Sequence, residues 1–121
     1  MNAPRSIPRR DWREFFDQVS SALLGMRAEI EVAGLDLGAQ VVADWTPLIG
    51  ISYDSINDVL DVALNTTRHL IHHPREIAVE EDADGISTVT VVDGDGRLQF
   101  VRLKDPLLLS ARPGSVRGVR L

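Results

Sequence analysis

The hydrophobic pattern of the chain changes at Gly25, from helical spacing before this residue to strand spacing after it. Between Asp11 and Gly25, apolar side chains recur every three or four residues, as on one face of an α-helix. After Gly25, apolar and polar residues alternate, which is typical of half-buried strands. The sequence therefore predicts one helix followed by a series of strands.

The predicted helix covers Trp12 to Leu24. Asp11 is the expected N-cap, because Glu14 follows three residues later in the spacing of a capping box. Gly25 is expected to end the helix, since glycine readily adopts the left-handed backbone found at helix ends. Three of the six aromatic residues lie in this helix, so we expect it to cover a sheet or to close one end of a barrel.

The strand signals follow one another at short intervals. Pro47 and Gly50 leave open whether the second strand is one long bent strand or two short ones. The clearest hairpin signal is Asp93–Gly96, whereas the stretch from Asn65 to Pro74 breaks the alternation and is predicted to form a single helical turn. The predicted strands are Met26–Val32, Ala39–Trp45, Leu48–Tyr53, Val59–Leu64, Arg75–Glu81, Ile86–Val92 and Arg97–Leu103.

The short connections favour antiparallel pairing, because a parallel crossover needs a dozen or more residues. We therefore expect an α+β fold, with an N-terminal helix and a bent five- or six-stranded antiparallel sheet. Two alternatives stay open: a small SH3-like or Sm-like barrel, and an open sheet with the helix across one face. The expected organisation is an extended N-terminal arm (1–10), a single α+β domain (11–109) and a flexible basic C-terminal tail (110–121).

Charge is distributed unevenly along the 121 residues, whose net charge is −5. The stretch from Asp36 to Asp95 contains twelve acidic residues and only two arginines, so its net charge is −10. The stretch from Gly96 to Leu121 has a net charge of +5. An acidic middle disfavours nucleic acid as the main partner, because nucleic-acid affinity comes largely from neutralising phosphates. Blocks of opposite sign can attract each other within the fold or between copies of the chain.

Several classes of protein are excluded by what the sequence lacks. The absence of cysteine excludes disulfides, thiolate metal sites and a cysteine nucleophile. No apolar run approaches the roughly 20 residues of a membrane span, and no secretory signal is visible, so we expect a cytoplasmic protein without membrane contact. No serine lies in a G-x-S-x-G or S-x-x-K motif, and no phosphate-binding glycine loop occurs. These absences predict a protein that is not an enzyme and has no cofactor.

The three histidines of the chain fall within five residues, at His69, His72 and His73. On the predicted helical turn these positions share one face, where imidazoles can bind a zinc or nickel ion. Glu76 is the further candidate ligand. The sequence thus offers one candidate site for a divalent transition metal, against the plainer interpretation of a connecting turn with solvated histidines.

The acidic residues Asp54, Asp58 and Asp61 are a candidate carboxylate cluster for acid–base chemistry. In a strand, however, Asp58 and Asp61 point to opposite faces.

Three functional hypotheses follow. The leading one is a small non-enzymatic binding or regulatory module that acts through protein contacts, with a protein partner or by self-association as a homo-oligomer. The first alternative is an Sm-like RNA-binding protein that grips phosphates with its terminal arginines. The second is a metal-binding protein centred on the three histidines. The arginines of the RNA hypothesis are Arg5, Arg9, Arg10, Arg112, Arg117 and Arg120.

A set of short motifs resembles an uncharacterised bacterial family, domain of unknown function 5335. The resemblance covers roughly Ile7 to Leu109 and implies a small bacterial protein with a single domain, without implying an activity, substrate or catalytic residue. The motifs are Ile7-Pro8-Arg9 with Trp12 and Phe15-Phe16, Gly34-x-Asp36-x-Gly38-Ala39-Gln40, Pro47-Leu48-x-Gly50-Ile51, His69-Leu70-Ile71-His72-His73-Pro74-Arg75-Glu76-Ile77, and Val91-Val92-Asp93 through Arg102-Leu103-x-Asp105-Pro106-Leu107.

Overall fold

The computed structural model describes residues 3–106, which form one helix and eight strands. A short 3₁₀ turn, Arg9–Asp11, leads into helix α1, Trp12–Leu23. The strands are β1 (Arg5–Ser6), β2 (Arg27–Gly34), β3 (Gly38–Asp54), β4 (Val59–Leu64), β5 (Arg68–His72), β6 (Glu76–Asp82), β7 (Gly85–Val92) and β8 (Leu98–Lys104).

All eight strands belong to one sheet in the order β1-β6-β7-β8-β2-β3-β4-β5, and every neighbouring pair is antiparallel. The antiparallel prediction is confirmed. Within the described residues, no ladder joins the two outer strands, β1 and β5, so the sheet is open. The barrel alternative is therefore wrong. The single helix is small beside the sheet, so the fold is mostly β and fits the α+β class only in part.

Strand β3 is one long bent strand of 17 residues, which decides between the two alternatives left by the sequence. Its first part pairs with β2 and its last part, from Leu48 onward, pairs with β4. Bulges interrupt both ladders, and Trp45 takes a left-handed backbone with φ of 48°. Because a bulge bends a strand, β3 can pass from one half of the sheet to the other.

The sheet has eight strands rather than five or six, because two segments predicted otherwise from the sequence also pair. The predicted arm contains β1, in which Arg5 lies opposite Val79. The predicted helical turn contains β5, which pairs with β4 along its whole length. Ile7 continues the first pairing with a backbone bond to Ile77 and is buried, so this part of the arm is held against the domain.

Helix α1 packs against β3 and buries three apolar side chains, those of Trp12, Phe16 and Leu23. This confirms the predicted helix and its contact with a sheet. Gly25 has a φ of 87°, as expected for a residue that ends a helix. The predicted cap is wrong in detail, since the Asp11 carboxylate makes no capping bond.

The core lies between α1 and the inward face of the bent sheet, and it is built mainly from branched aliphatic side chains such as Ile30, Val62 and Val89. Among residues 3–106, no helix has both the length and the apolar character that a membrane crossing requires. The end of the predicted domain and the predicted tail (110–121) lie outside the described residues.

Candidate functional site

The segment with the histidines is a strand, so the helical turn expected there is wrong. Along β5, side chains alternate between the two faces of the sheet. His69 and Ile71 point inward, where Ile71 is fully buried, whereas His72 points outward and is exposed. His73 follows the strand with a left-handed backbone, φ 51°. The strand geometry therefore separates the three imidazoles that a helical face would have gathered.

His69 is joined instead to a buried glutamine on β8. Its Nε2 lies 2.6 Å from Oε1 of Gln99, and because an amide oxygen only accepts, Nε2 donates. Gln99 in turn donates from Nε2 to Oδ2 of Asp93 at 2.8 Å. Both Gln99 and Asp93 are buried. This chain of hydrogen bonds connects the last strand of the sheet order with the β7–β8 hairpin.

Asp93 also organises the turn between β7 and β8. Its Oδ1 accepts the backbone N–H groups of Asp95 and Arg97, each at 2.9 Å. Burial alone would raise the pKa of Asp93, but the bonds from Gln99 and the two backbone donors outweigh it and hold this pKa below its ordinary value. The hairpin predicted at Asp93–Gly96 is confirmed, and Asp93 is the residue that holds it together.

A second network surrounds Asp58, in the loop between β3 and β4. Tyr53 Oη donates to Oδ1 of Asp58 at 2.6 Å, Arg9 Nη1 donates to the same oxygen at 3.2 Å, and His73 Nδ1 donates to Oδ2 at 3.3 Å. Arg9 also donates from Nη2 to the carbonyl of Pro74 at 2.7 Å and lies over the Trp12 ring at 4.4 Å. The Asp58 network, comprising Arg9, Tyr53, Asp58 and His73, thus ties the N-terminal segment to two loops.

The protonation states in the Asp58 network are set by these contacts. The hydrogen bond from Tyr53, together with those from His73 and Arg9, holds the pKa of Asp58 below its ordinary value. Burial and the neighbouring Asp58 carboxylate raise the pKa of Tyr53. Asp58 therefore stays ionised and Tyr53 stays a neutral donor near neutral pH.

Two residues of this network have left-handed backbones, Asp58 with φ 55° and His73 with φ 51°. The N–H of His73 donates to the carbonyl of Asp58 at 2.8 Å, so the two residues support each other. Such backbones cost free energy outside glycine, and they persist where surrounding contacts determine them.

The Asp58–His73 pair has one feature of a general base, an imidazole oriented by a carboxylate. The His73 side chain is 72% exposed, and its Nε2 makes no hydrogen bond or ion pair with residues 3–106. In the same range, no serine or threonine hydroxyl is hydrogen-bonded to His73. Every oxygen of Asp58 is used to hold neighbouring segments.

The residues proposed as metal ligands are dispersed. Glu76 begins β6 and is exposed. Within residues 3–106, no group of three or more histidines and carboxylates is arranged to hold a metal ion. The carboxylate cluster expected from the sequence is also not assembled: Asp54 accepts bonds from Ile56 and Asn57 within its own loop, and Asp61 pairs with Arg68.

Most of the arginines described by the structure are paired with carboxylates. Of the arginines in the RNA hypothesis, Arg5 pairs with Glu81 and Arg9 with Asp58, whereas the exposed Arg10 makes no ion pair with residues 3–106. Arg112, Arg117 and Arg120 lie outside the described residues. The remaining pairs are Arg68 with Asp61, Arg97 with Asp36, and Arg102 with Glu29 and Glu31.

Tyr53 and Gln99 were not identified from the sequence as functional, and Arg9 was predicted only as a phosphate contact in the RNA hypothesis. A signal existed for Gln99, because it occupies the inward parity of β8 together with Val101 and Leu103, and a buried amide requires partners. The hydrogen-bond partners of Arg9 lie more than 40 residues away along the chain, so no local signal predicts these bonds.

The most exposed apolar part of the sheet lies on the first half of β3. The edge segment, defined as Gly38–Ala43, pairs with β2 on one side, and within residues 3–106 no strand pairs with its other side. Val41 and Val42 are 56% and 51% exposed. Val42 is an extra residue in the ladder, because Ile30 lies opposite Ala43 while the next residue of β2 lies opposite Val41.

The described residues form a small open-sheet protein in which two polar networks join distant segments of the chain. The model of a family of unknown function (DUF5335) matches residues 3–112, and the chain belongs to this family. An uncharacterised protein from Aquifex aeolicus (strain VF5) is 38% identical over 108 residues, covering 88% of this chain and 97% of that relative. No solved structure matches the chain. The resemblance noted in the sequence is thereby confirmed.

Proposed function

We propose that this protein is a non-enzymatic binding module that acts through protein contacts. We further propose that it self-associates by binding a second copy of the same chain. The contact surface is the edge segment Gly38–Ala43. The observation that carries the proposal is the exposure of Val41 and Val42 on a strand whose outer backbone edge is free of partners in residues 3–106. Exposed apolar edges of this kind recruit further strands.

The composition of the edge segment favours self-association. Edge strands that must stay single usually carry lysine, proline or inward-pointing charge, and residues 38–43 carry none of these. Two copies that pair antiparallel along this segment bring no like charges opposite each other. The bulge at Val42 interrupts the regular strand and confines the proposed backbone pairing to Gly38–Val41, with Val41 and Val42 supplying the apolar contact.

The non-enzymatic part of the proposal is supported by the two polar networks. In both, the carboxylate oxygens are used to join segments of the chain, and no serine or threonine hydroxyl in the described residues is hydrogen-bonded to the exposed His73. The pairing of Arg5 and Arg9 with carboxylates disfavours the RNA-binding alternative, because these charges are already neutralised.

Light scattering after gel filtration, over a series of protein concentrations, tests the proposal. The wild-type mass is expected to rise from 13.3 kDa toward twice this value as concentration increases. Val41→Lys places a charge on each side of the contact and should weaken association by about tenfold or more. Ile56→Lys is the matched control, since Ile56 is 92% exposed on the β3–β4 loop and away from the edge segment. A wild-type protein that stays monomeric, or equal effects of the two substitutions, would overturn the proposal.

A further inference from the structure

Two exposed apolar side chains lie close to the connection between helix α1 and strand β2. The backbone N–H of Gly25 donates to the carbonyl of Leu48 at 3.2 Å, and the N–H of Leu48 donates to the carbonyl of Met26 at 2.8 Å. These bonds bring together Leu24, which precedes Gly25, and Ile49, which follows Leu48. Leu24 is 62% exposed and Ile49 is 52% exposed. We call this pair the bend patch.

The described part of the chain ends beside the bend patch. Arg27 of β2 lies opposite Lys104 of β8 on one side and opposite Pro47 of β3 on the other. Strands β8 and β3 both run antiparallel to β2, so they run in the same direction, about 10 Å apart across two strand spacings. Ile49 lies two residues after Pro47 along β3, and Pro106 lies two residues after Lys104, just beyond the end of β8.

We propose that the segment Leu107–Leu109 docks on the bend patch and covers Leu24 and Ile49. Three consecutive leucines follow Pro106 directly, and three residues span about 10 Å when extended, which is the separation to be crossed. The family match continues to residue 112 and so includes this segment in the family's shared unit. An apolar, uncharged segment of this length matches the apolar patch in chemistry. This docking is intramolecular and uses a surface separate from the edge segment of β3.

Thiol labelling tests the docking directly, because the chain has no cysteine of its own. Ile49→Cys, in the full-length chain, provides a reporter in the patch, and Leu24→Cys provides a second one. Ile56→Cys, on an exposed loop, reports the rate for an uncovered position. Each reporter is combined with replacement of Leu107, Leu108 and Leu109 by serine. The matched control replaces three other apolar residues after the described range by serine, namely Val116, Val119 and Leu121.

The docked segment should slow maleimide labelling of Ile49→Cys about tenfold relative to the variant with three serines at 107–109. The control with serines at 116, 119 and 121 should label as slowly as the parent, and labelling of Ile56→Cys should not change. Circular dichroism of each variant checks that the sheet is intact. Equal labelling rates with and without the three leucines would overturn the proposal. Protection that grows with protein concentration would also overturn it, in favour of a second copy covering the patch.

Discussion

Tyr53 and Asp58 are joined by a 2.6 Å hydrogen bond, from the phenol to the carboxylate oxygen that also accepts from Arg9. The bond closes the β3–β4 loop over the entrance of the chain into helix α1, where the Tyr53 ring meets the Trp12 ring edge-on at 5.1 Å. A polar contact at the border of the core thus holds the N-terminal segment in place.

Loss of this bond should destabilise the fold measurably. Because Tyr53 is largely buried and its partner is charged, Tyr53→Phe is expected to lower the free energy of unfolding by about 1.5–3 kcal/mol. Asp58→Asn should cost less when Tyr53→Phe is already present than in the wild type, since the two residues act as a pair. Urea unfolding of the four proteins in this cycle gives the coupling. Asp61→Asn, which weakens the pair with the exposed Arg68 side chain, is the control and should change stability by at most about 1 kcal/mol.

The left-handed backbone of His73 predicts an unusual preference for glycine. His73→Gly and His73→Ala lose the same exposed contact with Asp58, but glycine also relieves the strain at φ 51°. We expect the glycine variant to be more stable than the alanine variant by about 1 kcal/mol. At the neighbouring His72, within β5, the order should reverse, because glycine weakens a strand. If chemical denaturation shows that His73→Ala is more stable than His73→Gly, the proposed backbone strain at position 73 is wrong.

Gly94 makes a close approach that a side chain would prevent. A Cβ atom there would lie 2.9 Å from Cβ of His73 and 3.2 Å from the carbonyl oxygen of His72. Gly94→Ala must therefore push the β7–β8 turn away from the end of β5, and we expect a loss of about 2 kcal/mol. Gly50→Ala is the comparison, because its Cβ would meet only the Ser20 hydroxyl, which can rotate. Similar thermal unfolding of the two variants would show that the turn can move freely.

The lowered pKa of Asp93 predicts a specific dependence on pH. The folded state holds this carboxyl ionised below its ordinary pKa of 3.8, so it binds fewer protons than the unfolded state. Its contribution to stability is present above about pH 3.8 and is lost as the pH falls through the lowered value. Gln99→Leu removes one of the donors that lower this pKa. The variant should be less stable than the wild type at neutral pH and should lose less stability in acid.

Urea unfolding at pH 7 and at about pH 3 tests this linkage. The difference in stability between the wild type and Gln99→Leu is expected to be largest at pH 7 and to narrow in acid. Gln18→Leu, at an exposed position of α1, serves as the control. If the difference in stability between the wild type and Gln99→Leu is the same at both pH values, the Gln99 bond does not contribute to the lowered pKa of Asp93.

The elements that could be predicted from the sequence are those defined by local pattern. The apolar face of α1, the stop at Gly25 and the Asp93–Gly96 hairpin depend on residues close together in the chain, and all three are confirmed. Strand β5 escaped prediction because its inward positions are His69 and Ile71 while Leu70 is exposed, so its alternation does not follow hydrophobicity. The two-residue strand β1 is too short to show any period.

The sequence by itself determined one helix, a succession of antiparallel strands and the family, because periodicity, turn residues and motifs are properties of neighbouring residues. Tertiary structure alone decided that the sheet stays open and that the three histidines are separated. It also decided that His69 meets Gln99 and that Arg9 meets Asp58. Partners 30 and 49 residues apart are brought together by strand order and by the bending of β3, which depend on how the whole sheet packs around α1.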